Sequence, residues 1–107
     1  MASSPHTLFA SASVGAGTST SSSVPCDLER SVAFYVSATA GAGTVTVTLQ
    51  TSLDDSTWYD TVSTSALSSG GAAVISLAAD DGLGRYYRAK AVVASASTTF
   101  SVIAVSR

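Results

Sequence analysis

Charge is scarce in this sequence. Of 107 residues, only 11% are Asp, Glu, Lys or Arg, under half of the usual quarter. There is one cysteine and one histidine. A lone cysteine, Cys26, rules out an intrachain disulfide, and with it the small secreted disulfide scaffold. A lone histidine, His6, leaves the many serines without a Ser-His-Asp set. It also leaves Cys26 with only His6 as a base, in an N-terminus expected to be mobile, and the chain without a His and Cys cluster for zinc. The five basic residues, Arg30, Arg85, Arg88, Lys90 and Arg107, form no run, so no nucleic-acid stripe is expected. No stretch nears the roughly 18 apolar residues of a membrane-spanning helix, so no membrane partner is expected either. Helical period is missing throughout. The opening MASSPHTLFASASVGAG has no basic start followed by a long apolar core. It is not read as a secretory signal, and assembly in a cytoplasm is expected.

What the sequence does have is alternation. Hydrophobic residues make up 46% of it, and many are alanine and valine. Residues 30–38 place Val32, Phe34 and Val36 on one face. Residues 44–52 place Val45, Val47 and Leu49 on one face and threonines on the other. An acidic turn at Asp54-Asp55-Ser56 then leads into a return strand with the only tryptophan, Trp58. Further alternating runs occupy residues 72–78, 84–94 and 99–105. Strands at such spacing predict an all-β protein, an antiparallel sandwich or a small barrel. Phe34, Val47, Leu49 and Trp58 are the expected core, with Trp58 as its anchor. The Ser/Thr-rich residues 1–24 read as an N-terminal arm, flexible or ordered on a partner, with an edge strand admitted within it. Residues 25–107 read as the sandwich domain.

Chemistry is harder to find. The carboxylates are Asp27, Glu29, Asp54, Asp55, Asp60, Asp80 and Asp81. Asp54, Asp55 and Asp60 could supply part of a calcium site, which needs about six oxygens converging on one point. Ordinary turn chemistry is the preferred account of them. The glycines sit in turns and make no phosphate loop between strand and helix. No catalytic, cofactor-binding or metal residue is assigned, no cofactor is expected, and an enzyme is not expected. Tyr35, Tyr59, Tyr86 and Tyr87 could present rings to a sugar, or could simply pack.

Two segments, VTLQTSLDDSTWYDT and GLGRYYRAKAVV, together resemble a pattern in small immunoglobulin-like β-sandwich proteins of tailed-phage virions. The matching positions are Ser52, Asp54, Trp58, Arg85, Tyr86 and Arg88. A similar pattern occurs in discoidin-type binding domains, which are typically longer, often disulfide-linked and secreted. The virion resemblance implies a single antiparallel β-sandwich, immunoglobulin-like, of about seven or eight strands, serving as a capsid decoration (cement) protein on the capsid surface or as a small tail or neck component. Its implied partners are a major capsid protein and further copies of the chain, a closed trimer being one form. Leu8, Phe9, Tyr59, Arg85 and Arg88 are the candidate contact residues. The alternative reading is a carbohydrate-binding module for host-surface glycans.

Overall fold

Alternation in the sequence becomes two apolar inner faces in the computed structural model, which describes residues 4–26, 31–78 and 82–106. One sheet contains β1 (Ser4–Val14), β4 (Ser31–Gly41), β7 (Ala72–Ala78) and β9 (Thr98–Ser106), in the order β1-β9-β4-β7. The other contains β2 (Gly17–Thr20), β5 (Thr44–Ser52), β6 (Tyr59–Ser63) and β8 (Tyr86–Ala94), in the order β2-β8-β5-β6. The two-residue β3 (Val24–Pro25) also pairs with β8. All pairs are antiparallel.

The all-β antiparallel sandwich is what the chain forms, but its strand order differs from the immunoglobulin arrangement. There the last two strands are neighbours in one sheet. Here β8 and β9 lie in opposite sheets. Pairings nest instead: β1 with β9, β2 with β8, β4 with β7, and β5 with β6. A long antiparallel hairpin rolled up on itself gives this pattern, the jelly roll. The corners of the roll explain the difference. The turns after β4 and β8 each carry the chain across to the other sheet, and they stack on one another. A Cβ at Gly41 or Gly43 would collide with the backbone carbonyls of Ser97 or Ala96, and Gly41 holds φ at 106°. Only glycine allows that approach.

Between the sheets, Val32, Phe34 and Val36 of β4 meet Val45, Val47 and Leu49 of β5. Tyr87, Phe34 and Phe100 are the largest fully buried side chains, with the Tyr87 and Phe34 ring centroids 5.9 Å apart. Trp58 does not anchor this core. It precedes β6, lies half-buried, and carries the Arg88 guanidinium 4.3 Å above its ring. Arg88 pairs with Gln50, whose neighbour Leu49 points inward, so the tryptophan sits on the outside of its sheet.

The segment expected as an arm, with an edge strand admitted, carries two strands over its described part. Residues 4–14 pair with β9 and residues 17–20 with β8, so this segment supplies an edge strand to each sheet. Leu8, Phe9 and Val14 pack against the core, with Phe9 and Phe100 ring centroids 5.2 Å apart. The Ser/Thr run enters a strand because its backbone is paired: Ser21 N–H donates to the Ala89 carbonyl at 2.9 Å. Residues 1–3 lie outside the described residues.

Candidate functional site

Because both inner faces are consumed by the core, function has to sit on the outer faces, the edges or the corners. The outer face of the β2-β8-β5-β6 sheet carries a connected polar row. In the strand register Gln50 lies opposite Asp60 on one side and Arg88 on the other. Gln50 Nε2 donates to Asp60 Oδ1 at 2.7 Å, and Arg88 Nε donates to Gln50 Oε1 at 2.7 Å. Lys90 Nζ reaches Asp60 Oδ2 at 3.1 Å. The Gln50 amide beside it, and then Lys90, hold the Asp60 carboxyl below the ordinary aspartate value. One row further, the Thr48 and Ser63 hydroxyls share a hydrogen bond of 2.7 Å. Donors and acceptors here satisfy one another, so the row braces the sheet and leaves Asp60 no base-like character.

The acidic turn is equally occupied. Asp54 Oδ1 accepts from Thr57 N–H at 2.8 Å, Ser56 N–H at 3.0 Å and Ser52 Oγ at 3.0 Å. Those three donors, Thr57 first, lower its pKa. They also show why an aspartate stands there: it closes the turn. No group of three or more His, Cys, Asp or Glu poised for a metal occurs among the described residues. Cys26 is buried on the β8 side of the sandwich, its thiol donating to the Gly84 carbonyl at 3.3 Å. His6 lies in β1, in the other sheet.

The opposite outer face is different in kind. Tyr35 of β4 lies between Val74 of β7 and Ile103 of β9. The row above is Ala72, Ser37 and Ser101; the row below is Ser76, Ala33 and Val105. None of these nine residues is charged. Tyr35, Val74 and Ile103 are 48%, 58% and 39% exposed, and they line a shallow cleft of about 510 Å³. Contiguous apolar surface of this kind marks an interaction site more often than ordinary protein surface does.

The five expected contact residues are not gathered in one place. Leu8 and Phe9 are turned toward the core from β1. Arg88 is committed to Gln50 and Trp58. Arg85 is exposed, and its backbone N–H donates to the Ser52 carbonyl at 2.9 Å. Tyr59 is 58% exposed and lines a second cleft of about 420 Å³ with Leu53 and Leu83. Sequence reasoning missed the Tyr35–Val74–Ile103 row. Its signal was present as large apolar residues at outward positions of three separate strands. Without the register, nothing joins them.

No protein-family model matches the chain, and no curated protein does. Among solved structures it is similar to the PBSX exported protein XepA, with TM-score 0.73 and 13% identity, covering 96% of this chain and 36% of that one. It is also similar to a chain of infectious bursal disease virus, Gt strain, with TM-score 0.59 and 11% identity, covering 98% and 31%. A chain of the Gx strain gives TM-score 0.50 and 13% identity, covering 98% and 33%. The likeness is therefore one of fold, and this chain spans about a third of the length of each of those chains.

Proposed function

We propose that this chain is a non-enzymatic structural protein of a virus particle, and that it decorates the outside of the capsid and stabilises the head. One observation carries the reading: the outer face of the β1-β9-β4-β7 sheet presents Tyr35, Val74 and Ile103 to solvent in rows free of charge. A sandwich exposing such a face gains by docking it, because covering apolar area is worth roughly 25 cal/mol per Å². The likeness in fold to infectious bursal disease virus chains supports the class of protein. Low charge density supports a life in an assembly, where solubility as a free monomer matters less. In this reading the mechanism is mechanical: a rigid jelly roll bridges neighbouring capsid subunits and resists their separation.

The test is binding to capsids of the virus that encodes the chain. Stoichiometric binding and a raised capsid melting temperature are expected. Tyr35→Lys combined with Ile103→Lys, both exposed positions, should fold normally and bind at least tenfold more weakly. A protein that ignores capsids but is retained by polysaccharide would overturn the reading. Such a result would favour glycan recognition at the Tyr59 cleft.

A further inference from the structure

The edge of a sheet is a row of N–H and C=O groups ready to pair with another strand. Soluble proteins guard it with charge, proline, bulges or short strands. Three of the four outer strands of this sandwich are guarded. β1 contains Pro5 and two register irregularities against β9. β2 is only four residues long, and β3 beside it contains Pro25. β6 carries Asp60 and a register irregularity against β5. The fourth, β7, has no such protection. Its sequence AAVISLA contains neither proline nor charge, and it runs in unbroken register along β4 from Ser31↔Ala78 to Ser37↔Ala72. β4 is its one strand partner among the described residues. Ile75 faces inward beside the buried Phe34 yet stays half-buried, because β7 ends the sheet.

We propose that β7 pairs antiparallel with β7 of a second copy of this chain, about a twofold axis through Ile75. An extended strand is what unpaired backbone groups recognise, and β7 fits itself. With Ile75 opposite Ile75, Val74 falls opposite Ser76, Ala73 opposite Leu77, and Ala72 opposite Ala78. Each of these pairs joins side chains of the same face. Inward residues therefore extend the core, outward residues extend the uncharged face, and no like charges meet. A partner strand selected by charge is disfavoured, because β7 carries no charge to select it. Twofold pairing also closes, leaving no free β7 to propagate a fibre. Seven paired residues span about 23 Å. One strand pair of that length is a narrow contact beside the roughly 1,200 Å² of a standard stable interface, so the dimer is reversible and strengthens where copies are held side by side. This pairing follows from the edge chemistry of β7 and does not depend on which particle the chain belongs to.

Sedimentation equilibrium of the full chain, without capsids, tests it. The mass should rise with concentration toward twice the chain mass. Val74→Lys with Ser76→Lys sets lysine opposite lysine on both sides of the axis. Both positions are exposed, so circular dichroism and melting should stay unchanged while self-association weakens at least tenfold. Val74→Lys with Ser76→Glu sets lysine opposite glutamate and should restore association to within a few-fold of the parent. A parent that stays at chain mass up to its solubility limit would overturn the proposal. So would a double-lysine variant that is folded and dimerises like the parent, or a mass that grows without limit.

Discussion

On one outer face of the sandwich Tyr35 lies between Val74 and Ile103; on the other, Gln50 lies between Asp60 and Arg88. Both triplets cross three adjacent strands, and both are centred on a strand with an apolar inner face. Gln50 is nevertheless only 6% exposed, whereas Tyr35 is 48% exposed. The polar row covers itself: Asp60 and Arg88 bond to the amide, and Arg88 in turn lies over Trp58. The apolar row has no such cover from its own chain. Outer positions of a sheet are free of the packing demands that fix inner ones, so their chemistry reports what lies outside. One face satisfies its polar groups within the chain; the other leaves Tyr35, Val74 and Ile103 exposed.

The largest effect that would sharpen this contrast lies within one strand. Phe34 and Tyr35 are adjacent aromatics on opposite faces of β4, one fully buried and one exposed. Phe34→Ala should cost about 3–5 kcal/mol. Tyr35→Ala removes only cross-strand contacts and should cost about 1 kcal/mol or less. Urea titration of both variants checks this. If Tyr35→Ala proved as costly as Phe34→Ala, the Tyr35 face would be structural and not a free surface.

A middle-sized effect belongs to Trp58. Arg88→Ala removes a guanidinium stacked on the ring and a hydrogen bond to Gln50. Stacking contributes about 0.5–1 kcal/mol at a partly exposed site, and a hydrogen bond from a charged donor about 1.5–3 kcal/mol. A total loss near 2 kcal/mol is expected, with Trp58 fluorescence shifting toward that of a solvated indole. Unchanged emission would mean that Arg88 does not cover the ring in solution.

Trp58 also marks where the sequence stopped being legible. Period-two alternation identified the inner residues Phe34, Val47 and Leu49, because burial leaves a periodic trace. A single aromatic at the start of a strand leaves no such trace, and its size alone suggests the core. Tyr87 holds that place instead, on the inward face of an Ala-rich strand where only its phase tells. The jelly-roll order was hidden for a related reason. It is set by turns such as those at Gly41 and Gly43, whose contacts are with residues over 50 positions away. Ser/Thr-rich residues 17–20 read as part of an arm, with a strand only admitted, because their pairing partner, residues 90–93, is just as remote. The Tyr35 row was invisible until register placed three distant strands side by side.

The smallest effect separates the two faces by pH. Asp60 is held below its ordinary value of 3.8, first by Gln50 and then by Lys90. A depressed carboxyl pKa adds stability that is fully present above 3.8 and lost as pH falls through the folded-state value. Asp60 is more than half exposed, and solvent screening limits such a pair to about 1 kcal/mol or less. Asp60→Asn should therefore remove part of the acid-side loss of stability below pH 3.8, and added salt should shrink the difference. Tyr35→Ser, on the face without charge, should leave the acid limb of the curve superimposable on the parent. Thermal melts between neutral pH and the acid limit read both variants. Equal acid limbs for parent and Asp60→Asn would show that the polar row holds its geometry without the charge of Asp60. The two faces would then differ in shape and cover, not in electrostatics.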